Sequence, residues 1–434
     1  MPTSTEWQGW ARLVAAVADR VVLATVQDMH RAITDANFAW VGPVGRPVKP
    51  IHDHLQGQVY GAVGAVIRGV GEAGAAAAAA GWWGTDHDVV SPGAARARAI
   101  AHGVVGEDVL ASAPELDQEV EVHRHGRPVV AGRASLRAAH PDASGRVAVF
   151  VHGLLDTEAT WAIPSVGQAA VPRVDPAGIP ADRPGDTLAE DVATSRWVAL
   201  PDVATAAGMT SVLVRYGTGR AIGRNGADLA DLLEGLVSAW PVPVTGLAII
   251  GHSMGGLVAR AACLSGEQRG HAWPLVLTDV VHLGTPHHGS WFEKVANVVS
   301  WSVRRASVRS APIGRFVDAR SRGIKDLRFG ALDDAWWQGH DVDDLLAGRG
   351  PDPTWDDGVT HHLVVGRLRS DSRHPLNHAI GDGMVRSGSA ADRPVRRLRP
   401  IDHGVRVSHV PVGHNDLVRH PAVAEVLRAI LTRA

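Results

Sequence analysis

One serine is framed for chemistry. The run Gly251-His252-Ser253-Met254-Gly255-Gly256 follows four apolar residues, Leu247-Ala248-Ile249-Ile250, and precedes Leu257, Val258, Ala261, Ala262 and Leu264 at helical spacing. Strand, Gly-x-Ser-x-Gly and helix in that order predict a sharp turn that holds Ser253 in a strained conformation. Glycines two positions before and after it remove the side chains that would collide. Such a turn presents Oγ at the C-terminal edge of a sheet, above a helix N-terminus whose free N–H groups favour a developing negative charge. The chemistry this suits is nucleophilic attack on a carbonyl.

A serine hydroxyl needs a base to take its proton and an acid to orient that base. In this sheet arrangement the chain order is serine, acid, histidine. His414 is the candidate base, since it follows the last strand and precedes a final helix, Pro421 to Thr432. His409 falls inside that strand and His403 before it, at the wrong end. For the acid, Asp382 lies in the glycine-flanked segment Ile380-Gly381-Asp382-Gly383-Met384-Val385, between two strands. Asp371 remains a rival, whereas Asp402 precedes the last strand and falls at the opposite edge. The oxyanion needs preorganised donors. The N–H of Met254 is one, and the N–H of Leu154, in the loop His152-Gly153-Leu154 after an apolar strand, is the other. Gly153 allows close approach, and His152 is expected to brace the loop.

These residues require a sheet to hold them. Arg146 to Val151, Ser211 to Val214, Leu247 to Ile250, Leu275 to Leu283, His362 to Val365 and Val405 to Val412 read as strands. A hairpin precedes them, with Glu119 to Val122 and Val129-Val130 flanking a turn at Gly126-Arg127-Pro128. Strands apolar on both faces and alternating with helices predict an α/β fold with a mainly parallel sheet flanked by helices. Residues 1–115 read as a mostly helical N-terminal extension and 116–434 as the α/β domain. Pro43, Pro47 and Pro50 break the first helix. Two stretches resist the pattern: Asp156 to Trp197, a loop or partial lid, and 289–357, a helical cap insertion carrying Trp291, Phe292, Phe316, Phe329, Trp336 and Trp337. The aromatic residues of the second suit either a cap over an apolar pocket or simple packing onto the core.

The 434 residues are 45% hydrophobic and 20% charged, with a net charge of −2. That balance argues against nucleic acid as a partner, because few counterions would be released on binding. Cys263 is the single cysteine, so no intramolecular disulfide forms. His52-Asp53-His54 has no spaced partner for a metal site and reads as a solvated loop. The first residues lack the pattern of a secretory signal. Val59 to Trp83 is rich in Ala and Gly and reads as a close-packed helix or a linker, with membrane association the alternative. A cytoplasmic location, with or without peripheral membrane contact, is the resulting expectation. Oligomeric state is not encoded in any pattern found.

Val151-His152-Gly153, Gly251-His252-Ser253-Met254-Gly255-Gly256, Leu283-Gly284-Thr285-Pro286-His287-His288-Gly289-Ser290, Gly381-Asp382-Gly383 and Gly413-His414 together resemble an α/β-hydrolase of the serine lipase/esterase type, within it the PGAP1-like group. The resemblance covers roughly 146–434. It implies an α/β-hydrolase fold, Asp382 and His414 as acid and base, and Leu154 and Met254 as oxyanion donors. It also implies that His287 and His288 line the pocket, with support of the loop an equal role for them; His152 and Trp291 are further pocket candidates. A small-molecule or lipid ester is the implied substrate, cleaved through an acyl-enzyme with no metal or cofactor. Acyl transfer and thioester or amide hydrolysis use the same groups, and a non-catalytic binding module is the remaining alternative.

Overall fold

Runs such as Val147-Ala148-Val149-Phe150-Val151, apolar at successive positions, fit only strands covered on both sides, and the computed structural model places them there. It describes residues 3–41, 49–82, 91–105, 110–162, 197–289, 321–327, 330–332, 359–367, 382, 385, 387–390 and 404–432. Within these, one sheet has the order β2-β1-β4-β3-β5-β6-β7-β8. Its strands are β1 Glu121–Arg124, β2 Arg127–Val129, β3 Arg146–Val151, β4 Thr210–Arg215, β5 Gly246–His252, β6 Leu277–Leu283, β7 Thr360–Gly366 and β8 Val405–Val410. From β4 to β8 every pairing is parallel, and β1 is antiparallel to both β2 and β4.

The hairpin is tighter than the sequence suggests: its first strand runs two residues further and its second begins two residues earlier. Its turn is His125-Gly126, both at positive φ (51° and 75°), and the strands close with Arg124 opposite Arg127. A two-residue turn with both φ values positive matches the twist of a hairpin, so the glycine ends the turn instead of beginning it. Pro128 is tolerated because β2 is an edge strand.

Helices in chain order are α1 Ser4–Ala16, α2 Ala24–Val41, α3 Lys49–Ala79, α4 Pro92–Val104, α5 Leu200–Ala206, α6 Ile222–Ala239, α7 Met254–Arg269, α8 Arg322–Leu327 and α9 Pro421–Leu431. Alternate residues of the strands feed two cores. Val147, Val149, Val151, Leu247, Ile249 and Val280 face α6 and α7, which contribute Leu229, Leu233, Leu236, Leu257 and Val258. Ala148, Phe150, Ala248, Ile250, Val281 and Val364 face α5 and α9, which contribute Leu200, Val203, Val423 and Leu427. The period of two along each strand decides which core a residue joins. α7 is buried along nearly its whole length and meets α6 closely, since a Cβ on Gly226 would collide with Ala261.

The chain passes from β3 to β4 on one side, then returns past β3 to β5 on the other. At such a reversal the connecting loops diverge and leave a crevice beyond the C-terminal strand ends. The serine turn after β5 and the loop after β3 both end there.

The N-terminal region is helical. α1, a π-helical segment Val17–Leu23 and α2 run on as one helix, and α3 returns antiparallel. Thr3 and Glu6 form a capping box at the start of α1. Ion pairs Arg12–Glu72 (3.2 Å) and Asp19–Arg68 join the two helices, and Gly71 packs against Ala15. The Ala/Gly-rich stretch is thus a helix and not a linker. Its inner face is tightly packed, whereas Val59, Val63, Val66 and Val70 are exposed. By length and composition alone, His52–Ala79 is one helix long and apolar enough to cross a membrane. His52, Asp53 and His54 lie within α3, and Lys49 bonds Asp53 at 2.6 Å. The expected loop at these residues is therefore corrected to helix. Pro50, in the first turn of α3, occupies a position where its missing N–H costs nothing.

A buried ion pair ties β4 to the loop after β3. Arg215 Nε and Nη2 donate to Glu158 at 2.6 and 2.5 Å, with both residues under 7% exposed. Burial raises the Glu158 pKa, but the Arg215 hydrogen bonds and charge outweigh it and hold the carboxyl below its usual value. Glu158→Ala strands a cation in the core and is expected to cost about 3–5 kcal/mol. Replacing both partners together with Leu and Met is expected to cost much less. Denaturant titration of the two variants checks this.

Candidate active site

Ser253 caps α7 at φ 52° and ψ −121°, outside the regions open to an ordinary L-residue. Close packing enforces that turn. A Cβ on Gly251 would stand 2.6 Å from the Cα of Gly256, and one on Gly255 would collide with the carbonyls of Val151 and His152. Ser253 N–H donates to Leu283 O at 2.8 Å, which anchors the turn to the end of β6. Around it His252 and Met254 are buried, and Ser253 alone keeps intermediate exposure.

His414 opens a short 3-10 turn after β8. Its Nδ1–H donates to Asp382 Oδ2 at 2.7 Å, and its backbone N–H donates to Asp382 O at 3.0 Å. The other carboxylate oxygen, Oδ1, accepts from Val385 N–H at 2.8 Å. Acid and histidine are thus locked by side chain and backbone, both nearly inaccessible (2% and 5% exposed). With Nδ1 committed, Nε2 is the free basic nitrogen. The histidine stands beside the serine turn: His252 Nε2 donates to His414 O at 3.1 Å, and the two rings lie 5.0 Å apart. Burial, then the neighbouring His414, push the His252 pKa down to about 3, so a neutral ring borders the imidazole.

The loop after β3 reaches the same place. A Cβ on Gly153 would be 3.2 Å from Ser253 Cβ and 3.0 Å from His252 Nδ1, so the Gly153–Leu154 peptide runs alongside the serine. Among the described residues, neither the N–H of Leu154 nor that of Met254 meets an acceptor. Leu155, the next residue, is held at φ 61°.

Other residues assigned to the pocket fare differently. His152 is wholly buried: it stacks on Tyr216 (4.4 Å between centroids), its Nδ1–H donates to Gly153 O, and Tyr216 N–H donates to Nε2. In this setting the His152 side chain braces the loop from within and has no exposed surface among the described residues. His287 is also buried, with Arg260 donating to its Nδ1 at 3.2 Å and His282 edge-on at 4.9 Å, so it supports the segment after β6 from within. His288 is half-buried and its N–H donates to Ser389 Oγ. Trp291, Asp371, most of the cap insertion and most of the stretch Asp156 to Trp197 lie outside the described residues. No group of His, Cys, Asp and Glu among the described residues is arranged to hold a metal.

Two supporting residues had no assigned role in the sequence. Gly284 adopts φ 62°, and a Cβ there would be 3.1 Å from both Asp382 Oδ2 and His414 Nδ1, so only glycine lets the pair sit against the end of β6. Thr285 packs into the gap at Gly256. The signal for both was a Gly-Thr-Pro directly behind an apolar strand.

Residues 231–301 match the model of the family described as PGAP1-like alpha/beta domain. The fold is a mostly parallel eight-stranded sheet flanked by helices, with a helical N-terminal region. The matched stretch takes in β5, the serine turn, α7 and β6, whereas Asp382 and His414 lie beyond it. Among solved structures, the mature form of the Bacillus licheniformis lipase BlEst2 is similar at 17% identity, covering 68% of this chain and 95% of that one, with a TM-score of 0.40. A Pyrobaculum calidifontis esterase is similar at 12% identity, covering 80% of this chain and 93% of that one, with a TM-score of 0.34. No curated protein matches the sequence.

The buried histidines set the acid limit of this fold. Burial, followed by neighbouring His and Arg charges, holds His282 and His287 well below 6.5, and His252 falls to about 3. An unfolded chain binds those protons near pH 6.5, whereas the folded one refuses them, so stability is lost as pH falls below about 6.5. At pH 5 His252 alone is expected to withdraw about 2 kcal/mol. Melting temperature recorded between pH 8 and pH 5 should drop through that window.

Proposed function

We propose that this chain is a serine hydrolase acting on carboxylic esters through an acyl-enzyme. The observation that carries the proposal is the buried 2.7 Å His414–Asp382 bond lying against the strained, half-exposed Ser253 turn. Ser253 Oγ attacks the ester carbonyl while His414 Nε2 takes its proton, and Asp382 stabilises the imidazolium. Negative charge on the former carbonyl oxygen is met by the N–H groups of Leu154 and Met254, an interaction worth about 3–4 kcal/mol per donor in such sites. The imidazolium gives its proton to the departing alcohol. A water, deprotonated in turn by His414, attacks the acyl-serine, and the imidazolium gives that proton to Ser253 Oγ as the acid leaves.

The test pairs a fluorophosphonate probe with a panel of esters from two-carbon to long-chain acyl groups. Covalent labelling at Ser253 together with turnover of some member is the expected result. An unlabelled, well-folded protein inert to the whole panel would remove the proposal. Within the panel, preference for long chains favours a lipid ester and preference for short ones a small soluble ester.

A further inference from the structure

The N-terminal helical region does not stand apart from the candidate site; it touches the loops that shape it. The last turn of α4 brings His102 and Gly103 against residues 217–219, which follow β4, and against Leu155. His102 is 1% exposed. Gly219 N–H donates to its Nδ1 at 3.1 Å, so Nε2 carries the proton and faces Asp117 Oδ1 at 3.3 Å. The His102 hydrogen bond, then Arg220 at 2.8 Å, hold the Asp117 carboxyl well below its ordinary pKa, so the partner is a carboxylate.

The next link is Thr218, 0% exposed. Its Oγ1 accepts from Leu155 N–H at 3.3 Å, the residue held at positive φ directly after Leu154. Three glycines make the contact close enough to transmit position. A Cβ at Gly217 would lie 2.6 Å from the His102 ring, one at Gly219 would collide with His102 O, and one at Gly103 would collide with Leu155 and stand 2.8 Å from Thr218 Oγ1. From below, Asn225 Nδ2 donates to Gly217 O at 2.9 Å, and Gly323 N–H of α8 donates to Gly219 O at 3.1 Å. Residues 217–219 are therefore fixed from several sides, and His102 holds the side nearest α4.

We propose that His102 is a positioning residue of the reaction: through Gly219 and Thr218 it fixes Leu155, and with it the angle at which the Leu154 N–H meets the developing oxyanion. The inference rests on the ester-hydrolase proposal. A donor displaced by about 1 Å in such a site costs on the order of 100-fold in rate. That loss falls on kcat, because the contact strengthens only in the transition state.

The test uses the full chain and the best ester of the panel, with His102→Ala, His102→Asn, Thr218→Val and Thr218→Ser. Asn places an oxygen near the former Nδ1 and keeps the acceptor for Gly219 N–H, and Ser keeps the hydroxyl for Leu155. The expected result is a kcat loss on the order of 100-fold in His102→Ala and Thr218→Val with KM nearly unchanged. Fluorophosphonate inactivation should slow in parallel, and Asn and Ser should restore most of the rate. A folded His102→Ala with wild-type kcat overturns the inference while leaving the hydrolase proposal intact. An unlabelled, inactive wild type instead removes the hydrolase proposal. If His102→Ala does not fold, the Thr218 pair decides: equal kcat in Val and Ser variants overturns the inference.

Discussion

Ser253→Ala is expected to lower kcat by about a million-fold while leaving the fold unchanged. The hydroxyl is the only group at this position that the proposed chemistry uses. Alanine keeps the Cβ that the turn already accommodates beside Gly153, and the unusual φ costs alanine what it costs serine. Among the described residues no hydrogen bond depends on the serine oxygen, and the backbone N–H to Leu283 O bond is retained. Unfolding free energy should therefore change by no more than a surface substitution does, about 0.5 kcal/mol, as read by denaturant titration. Residual activity with the single-turnover burst intact would show that another nucleophile forms the acyl intermediate. Intact bulk activity would end the serine mechanism altogether.

Asp382→Asn is expected to lower kcat by about 10⁴-fold, for a reason visible in the two oxygens of the carboxylate. Oδ1 accepts from Val385 N–H and Oδ2 accepts from His414 Nδ1–H. An asparagine satisfies the buried Val385 donor with its oxygen and so turns its NH₂ toward His414. The ring then keeps its proton on Nε2 and cannot take one from Ser253. Asp371→Asn, made in parallel, should retain full activity. If Asp371→Asn alone is inactive, the acid is misassigned and the 2.7 Å bond is only structural.

The parts of this site that the sequence made legible are those whose geometry is local. A glycine-framed serine between a strand and a helix dictates its own turn, because the glycines are needed by neighbours only a few residues away. His414 and Asp382 were legible by chain order and by their place behind strands, and the two side chains do meet. The parallel sheet followed from strands apolar on both faces. What escaped was decided at a distance. His152 is buried because Tyr216, 64 positions on, stacks over it, and nothing near either residue announces that pairing. Val59 to Trp83 read as a close-packed helix or a linker, with membrane association the alternative, because its glycines lower helix propensity. Packing against α1, with ion pairs 49 and 60 residues apart in sequence, settles the stretch up to Ala79 as helix. The docking of α4 on the loop after β4 joins residues 117 positions apart and left no periodic trace.

The order of strands has a consequence for biosynthesis. β8 lies at the sheet edge and pairs only with β7 among the described residues, and His414 follows it, about 160 residues after the serine turn. Domains are assembled from the N-terminus as the polypeptide leaves the ribosome. On the proposed mechanism, a nascent chain therefore holds Ser253 and the Leu154 and Met254 amides before His414 is present to activate the hydroxyl. Turnover then begins only once His414 and α9, which covers one face of the sheet, have emerged, so an unfinished molecule is chemically silent.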